Sequence, residues 1–388
     1  MRGVTPETKR LDIAVLFDAA EEEWPSMDLA GEMLVDQWRS LASGVDAEVV
    51  GISVPRVVRR LPRIPSGAAF NADRALTRYV AYPLRALAAR RPRRFFHVVD
   101  HSYAQLVHAL PAARTGVYCH DLDVFQPILA GGAARRSRWF RALARVLAAG
   151  LRAAAVIFHN TREVGRALER SGLVPGARLV HAPLGVAPEY SANADPHHEA
   201  AAFLEPLGGR PFVLHVGSGI PRKRIDVLFE VFAKLHATRP DLRLVQQGAA
   251  LSPEQRRHAA ALGITDALVQ PPRLTRNALA GVYRRAAVVL VPSEAEGFGI
   301  PVIEALACGT HVVASDIATL REVGGDAVLY APPGDVPTWT RTVEAVLDRA
   351  SAAPSEARRR DRAADFTWER HARTILDAYN ALASRTGA

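Results

Sequence analysis

An α/β fold of two domains, each organised on a parallel sheet, is what the 388-residue sequence predicts. Three observations carry it. The length exceeds what one hydrophobic core ordinarily serves. Short apolar runs rich in β-branched residues recur, end in polar or glycine-bearing clusters, and give way to helical patterns. The interval 187–210 gathers Pro188, Pro196, Pro206, Gly208 and Gly209 with the polar run SANADPHHE, the composition of a linker. The predicted organisation is a domain over 1–190, a linker at 191–210, a domain over 211–365 and a closing helix in 366–388.

In the first domain, LDIAVLF (11–17) reads as a strand, and no G-x-G-x-x-G follows it, which counts against a dehydrogenase-type dinucleotide site. After Glu21-Glu22-Glu23, Ser26 is the expected N-cap of a helix through Leu41, with Met27, Ala30, Leu34, Trp38 and Leu41 on its buried stripe. VDAEVVGIS (45–53) is a second strand. FFHVVD (95–100) runs into Asp100-His101-Ser102, and VYCHDLDVF (117–125) into His120-Asp121. Ligands of open α/β sheets bind at the carboxyl ends of strands, where both polar clusters fall. Asp100, His101, His120 and Asp121 are therefore candidates, weighed against ordinary structural histidines. AAAVIFHNT (153–161) is a further strand, followed by a helix over 162–170 and by RLVHAPLGV (178–186).

In the second domain, FVLHVG leads into Gly217-Ser218-Gly219, then Arg222 and Lys223 ahead of a helix lined by Ile225, Leu228, Phe229, Phe232 and Leu235. Two cations before a helix N-terminus suit a diphosphate, with Arg222 chelating as a fork and Lys223 acting as a point charge. A solvated surface turn is the plain alternative. LRLVQQG (242–248) is a strand ending in Gly248, and 266–286 supplies strand, loop and helix. AAVVLVP (286–292) then opens the most informative stretch. Ser293 to Glu296 form a polar loop, Gly297-Phe298-Gly299-Ile300 follow, Pro301 suits a first helical turn, and Gly309 stops the helix. Glu296 precedes that helix and Glu304 lies one turn inside it. Amides at Gly297 and Gly299 can approach an anion closely while two fixed carboxylates hold hydroxyls, an arrangement suited to a sugar on a diphosphate. The closing segment 366–385 is a helix after Thr367, with Trp368, Ala372, Ile375, Leu376 and Tyr379 near one face.

Composition narrows the setting. No apolar run reaches the ~18 residues of a membrane helix. The polar start with Pro6 is not a secretory signal, and Cys119 and Cys308 form no metal or disulfide pattern, so a cytoplasmic location is expected. The net charge of +9 concentrates as arginine in 56–63, 85–94 and 134–152. The last reads as an amphipathic helix with Trp139, Leu143, Val146 and Leu147 to one side, able to meet anionic lipid headgroups from the cytoplasmic face. A solvated face is the bland alternative. Nucleic acid ranks last, because no zinc-finger or RNA-recognition motif accompanies the arginines.

The wording EGFGIPVIEALACG, with Glu296 and Glu304 in E-x7-E spacing, resembles the signature of the family 4 retaining glycosyltransferases, which have the GT-B fold. VGSGIPRKR resembles a family variant in which an arginine and a lysine neutralise the leaving diphosphate; here Arg224 stands at the Asn or Gly position and Ser218 where other members have arginine. His120-Asp121 and Leu320 to Asp326 also fit the pattern, whereas the family's glycine-rich loop after the first strand is missing. The resemblance implies two Rossmann-like domains facing across a cleft, and a last helix that crosses back to the first. It implies a metal-independent hexosyltransferase without cofactor, of the kind that builds polysaccharides. Its donor would be GDP- or UDP-linked, with the Pro-Arg-Lys variant leaning to GDP-mannose, and its acceptor a glycan, a lipid-linked or a small molecule. Donor contacts are then expected from Gly217, Gly219, Arg222, Lys223, Gly248, Arg273, Leu274, Glu296 to Ile300 and Glu304. Glu304 would take the ribose, Glu296 the sugar hydroxyls, and His120 the vicinity of the reacting sugar. Asp121-Leu122-Asp123 matches the D-x-D motif of the other main glycosyltransferase fold, but it lies in the half without the nucleotide site. The rivals are a GT-B nucleotide-sugar epimerase and a non-catalytic nucleotide-sugar-binding subunit.

Overall fold

Strands that are apolar on both faces need helices on both sides, and parallel sheets meet that need. In the computed structural model the described residues are 10–22, 25–40, 45–53, 66–129, 137–193, 199–349 and 353–386. The basic segment 56–63, Leu41 and residues 134–136 lie outside them. The chain divides into two compact units, 1–184 with 368–388, and 185–367.

The first unit runs β1 (Leu11–Ala19), α1 (Pro25–Ser40), β2 (Val45–Ile52), α2 (Ser66–Leu76), a π-helical turn (Thr77–Ala81), α3 (Tyr82–Ala88) and β3 (Phe95–Val98). It continues with 3-10 turns over His101–Ala109, β4 (Thr115–Cys119), α4 (Gln126–Leu129), α5 (Arg138–Ala153), β5 (Val156–His159), α6 (Arg162–Arg170) and β6 (Leu179–His181). The sheet order is β2-β1-β3-β4-β5-β6, all parallel. Chain order reverses beside β1, which makes the β1/β3 boundary its switch point. Leu16, Val98, Val117 and Ile157 meet Leu106, Leu147 and Leu151 in the core.

Two helices differ from the sequence reading. α1 begins at Pro25, at home in a first turn, so Ser26 lies inside the helix rather than capping it. Its buried stripe does contain Ala30, Leu34 and Trp38. In α5 the buried side carries Ala144, Leu147, Ala148 and Leu151, while Trp139 and Val146 are exposed. At ~100° per residue, Trp139 and Val146 share one line and Leu147 and Leu151 another, so the expected single apolar side is really two.

The second unit runs α7 (Ala201–Leu204), β7 (Phe212–Val216), α8 (Ile225–Thr238), β8 (Arg243–Gln247), α9 (Pro253–Ala261), β9 (Leu268–Val269) and α10 (Arg276–Arg285). β10 (Val288–Val291), α11 (Ile300–Ala307), β11 (Val312–Ser315), α12 (Ala318–Gly324), β12 (Leu329–Ala331), α13 (Val336–Asp348) and α14 (Glu356–Ala364) complete it. Its parallel sheet is ordered β12-β11-β10-β7-β8-β9, with the switch point between β7 and β10. The predicted stripe of α8 is buried against this sheet with Trp339 and Val343 of α13. Residues 199–207, read from composition as linker, are tied to this unit: Glu199 accepts from Thr275 Oγ1 at 2.6 Å and from Asn277 Nδ2 at 2.9 Å. Residues 194–198 lie outside the described residues.

The last helix, α15 (Trp368–Thr386), returns to the first unit. Trp38 Nε1 donates to Ala372 O at 3.0 Å, and Tyr379 Oη donates to Phe96 O at 3.0 Å. Trp368, Ala372, Ile375, Leu376 and Tyr379 are all buried, the face their spacing predicts.

Candidate active site

The loops leaving β7 and β10 meet where the second sheet changes direction, and their side chains form one network. Lys223 Nζ lies 2.5 Å from Glu296 Oε1, which also accepts from the buried Ser293 Oγ at 2.7 Å. Arg222 Nη1 lies 3.9 Å from Glu296 Oε2 and donates to Ala295 O at 3.2 Å. Glu294 N donates back to Arg222 O at 2.8 Å, stitching the two loops together. Beneath them His215 directs Nδ1 at Leu290 O, 3.0 Å away, and burial lowers its pKa to about 4, so it is neutral near pH 7. Three residues assigned to donor chemistry from sequence, Arg222, Lys223 and Glu296, are thus brought into one cluster. Ser293 and His215 join it without having been singled out.

Backbone demands explain the surrounding residues. Arg224 sits at φ 49°, the left-handed conformation that favours Gly or Asn, and its guanidinium forks onto Asp226 at 2.8 and 3.1 Å. That accounts for the departure at this position in physical terms: the loop keeps its conformation and arginine adds an ion pair. Gly217 N donates to Gln247 O, and Gly219 O accepts from Gln255 Nε2, both at 2.9 Å. Gly248 is at φ 148° and a Cβ there would meet Gly217 O at 1.9 Å, so glycine is required by the protein's own backbone. Gly297, Phe298 and Gly299 are buried before α11, where Phe298 packs on Phe366 with ring centroids 5.6 Å apart. Ile300 opens α11 half-buried, while Arg273 is exposed and Leu274 half-buried in the loop ahead of α10.

Glu304 occupies a second network. It is buried in α11, and its Oε2 accepts from Tyr283 Oη at 2.9 Å, with Tyr190 also donating to the carboxylate. The two tyrosine rings meet edge to face, 5.8 Å apart. Burial pushes Glu304 up to about 7, against the lowering effect of the two tyrosine hydrogen bonds. An unfolded chain releases this proton near the ordinary value of 4.5, so the folded form holds it over a window the unfolded form does not. Stability from this group is therefore full below 4.5 and falls as pH rises to about 7. Glu304→Gln removes the effect. Its stability relative to wild type, read as the difference in melting temperature, should climb across that window by on the order of 3 kcal/mol. A difference that stays flat with pH contradicts this.

In the first unit the polar residues gather after β3 and β4. Asp100 Oδ1 lies 2.9 Å from His101 Nδ1 and accepts from Ser102 N at 3.0 Å. Burial opposes charge on both members, yet each favours the charged form of the other: Asp100 is lowered by His101 and His101 raised by Asp100. Asp121 Oδ1 lies 3.6 Å from His101 Nε2 and accepts from Asp123 N at 3.0 Å, which makes the D-x-D stretch a local turn. His120 is buried, with Nε2 directed at Val99 O at 2.8 Å; burial lowers its pKa. Its Nε2 proton is thus committed to the backbone.

Beside this cluster lie residues that the sequence reading did not single out. Asp18, at the end of β1, is 5% exposed and neither carboxylate oxygen has a hydrogen-bond partner among the described residues. Burial, then Asp100 and Glu22, push its carboxyl well above the ordinary range. Arg78 donates Nη2 to Ser102 Oγ at 2.7 Å, lies 3.6 Å from Glu22 and stacks 4.2 Å over Tyr103. The signal was present: an apolar strand ending in a carboxylate at Asp18, as the later one ends at Asp100.

Comparison with known proteins agrees with the second unit's geometry. Residues 199–365 match the family described as Glycosyl transferases group 1. The chain is 37% identical over 172 residues to a D-inositol 3-phosphate glycosyltransferase of Mycolicibacterium smegmatis, covering 43% of this chain and 39% of that one. It is 37% identical over 188 residues to the protein of the same name in Geodermatophilus obscurus, covering 45% and 41%. These matches span about two fifths of those relatives' lengths. Among solved structures, sucrose-phosphate synthase from Thermosynechococcus elongatus superposes with a TM-score of 0.71 at 21% identity, over 97% of this chain and 100% of that one. HepE from Anabaena, solved in complex with UDP and glucose, gives 0.74 at 15% identity, over 96% and 100%. The match to the group 1 glycosyltransferases thus falls on residues 199–365 of the second unit, while the chain as a whole, two parallel six-stranded units, shares the GT-B fold of these solved structures.

Proposed function

We propose that the chain is a metal-independent retaining hexosyltransferase that takes its sugar from a GDP- or UDP-linked donor. The observation that carries this reading is the Lys223–Glu296 pair at the β7/β10 switch point, with Ser293 and Arg222 around it. In this reading Arg222 and Lys223 stabilise the departing diphosphate, and the amides of Gly297 and Gly299 at the start of α11 add donors. Glu296 holds hydroxyls of the transferred sugar. Glu304 holds the ribose, sharing its carboxylate with Tyr283. No cofactor takes part.

The Pro-Arg-Lys wording favours GDP-mannose, whereas the likeness to HepE, also solved with UDP-glucose, favours a UDP-hexose. Titration with both nucleotides separates them. Asp100, His101, Asp121 and the vicinity of His120 serve the acceptor: a glycan, a lipid-linked molecule or a small polyol, as in the relatives named for inositol phosphate. The product keeps the donor's anomeric configuration.

Because fixed cations stand where other enzymes use a metal ion, transfer should continue at an undiminished rate with excess chelator. A strict need for Mg²⁺ or Mn²⁺, lost again in Asp123→Ala, reverses that assignment. Consumption of the nucleotide sugar at full rate without acceptor, yielding an epimerised sugar, identifies the epimerase instead.

A further inference from the structure

The run from α2 through the π-helical turn to α3 has two unlike sides. Inward, Thr77, Tyr82 and Ala86 are buried, and Arg78 reaches Ser102 beside the Asp100–His101 pair. Outward, Leu76, Val80, Leu84 and Leu87 follow one another at helical spacing, each more than a third exposed and Leu84 61%. The exposed end of α5 adds Trp139, Phe140 and Val146, with Trp139 at 71%. α3 and α5 both pack on the same His101–Ala109 segment, so the two ridges flank one element.

The exposed charge carried by the ridge helices themselves has one sign, although Glu48 pairs with Arg91 just beyond α3. α5 contains no acidic residue, and in α2 to α3 the sole acid, Asp73, is buried. Arg85, Arg90 and Arg93 are exposed beside the first ridge, Arg138 and Arg145 beside the second. A protein partner ordinarily takes apolar residues into a core with charges kept to the rim. Here long cationic side chains alternate with the apolar ones along helix surfaces, which suits the boundary between lipid headgroups and acyl chains. Tryptophan and phenylalanine at a helix end fit the same depth.

We infer that the α2–α3 ridge and the start of α5 together form a docking surface for an anionic lipid bilayer, through which the first unit takes an amphiphilic acceptor. The ridge extends the contact to a helix pair whose inner side carries Arg78 into the acceptor cluster. The acceptor clause rests on the proposed transferase function; the docking surface does not.

The test is co-sedimentation with vesicles of phosphatidylglycerol mixed into phosphatidylcholine, against phosphatidylcholine alone. Wild type should sediment with the anionic vesicles and be partly released by high salt. The pair Val80→Glu with Leu84→Glu, and separately Trp139→Glu, should each weaken partitioning about tenfold or more. Binding of GDP and UDP by these variants, measured in parallel, should match wild type, since the substitutions lie on exposed residues of the first unit. Equal recovery with neutral vesicles, or partitioning unchanged in all variants, overturns the inference. So does a lipid-free dimer that Leu84→Glu dissolves, or double-stranded DNA bound as tightly by the variants as by wild type. If docking behaves as described but neither nucleotide binds wild type, the transferase reading fails and the surface stands.

Discussion

Glu296→Ala should lower kcat by about a hundredfold to a thousandfold while free nucleoside diphosphate binds as tightly as to wild type, or more tightly. The two halves have one origin. Glu296 neutralises Lys223 at 2.5 Å, so a diphosphate arriving at that ammonium must compete with the carboxylate. Removing the carboxylate frees the cation and withdraws a negative charge, both of which favour the anion. What is lost is the contact with the transferred sugar, whose charge changes as the glycosidic bond breaks. An interaction stronger in the transition state shows in turnover rather than in ground-state affinity. Initial rates and isothermal titration with the diphosphate check both halves. Weaker diphosphate binding with turnover unchanged would mean that the roles of the two side chains are exchanged.

Lys223→Ala should act in the opposite sense and reach further. Glu296 has only 6% of its side chain exposed, and without Lys223 its nearest cation is Arg222 at 3.9 Å. Breaking a buried pair from one side typically costs 3–5 kcal/mol; the residual Arg222 contact places this case near ~3 kcal/mol. Diphosphate affinity should also fall, about tenfold to a hundredfold, with the loss of a charged donor. The double variant Lys223→Ala with Glu296→Ala then separates the effects. Stability should return most of the way, because no uncompensated carboxylate remains, while diphosphate affinity stays low. Thermal unfolding and titration of the four forms complete the cycle. Stability that fails to recover in the double variant contradicts the pairing.

Much of the fold was legible because parallel strands buried on both faces read as continuous apolar runs. Phe212–Val216, Arg243–Gln247 and Val288–Val291 stand where their composition puts them. The cations of the β7 loop and the carboxylate of the β10 loop were each visible, but their direct pairing was not. It depends on β7 and β10 being neighbours in the sheet, although they are far apart in sequence. The tyrosines on Glu304 were invisible for the same reason: Tyr190 and Tyr283 carry no spacing signal toward it. At Asp18 the only sequence signal is a carboxylate near the end of an apolar strand, and the absence of a glycine-rich loop after β1 points away from a site there. On α5, a period of 3.6 permits two apolar lines, and only packing shows which one the core takes. Pro206, Gly208 and Gly209 suggested a linker, yet Leu207 is buried and both glycines take left-handed turns within the second unit.

The most direct test of the account is isothermal titration of GDP-mannose and UDP-glucose into the protein with all divalent metal removed, repeated on Lys223→Ala and Glu296→Ala. One nucleotide sugar should bind wild type without metal and bind Lys223→Ala far more weakly. The matching free diphosphate should bind Glu296→Ala at least as well as wild type. Binding that appears only when Mg²⁺ is restored, or that survives in Lys223→Ala and disappears in Glu296→Ala, would contradict it.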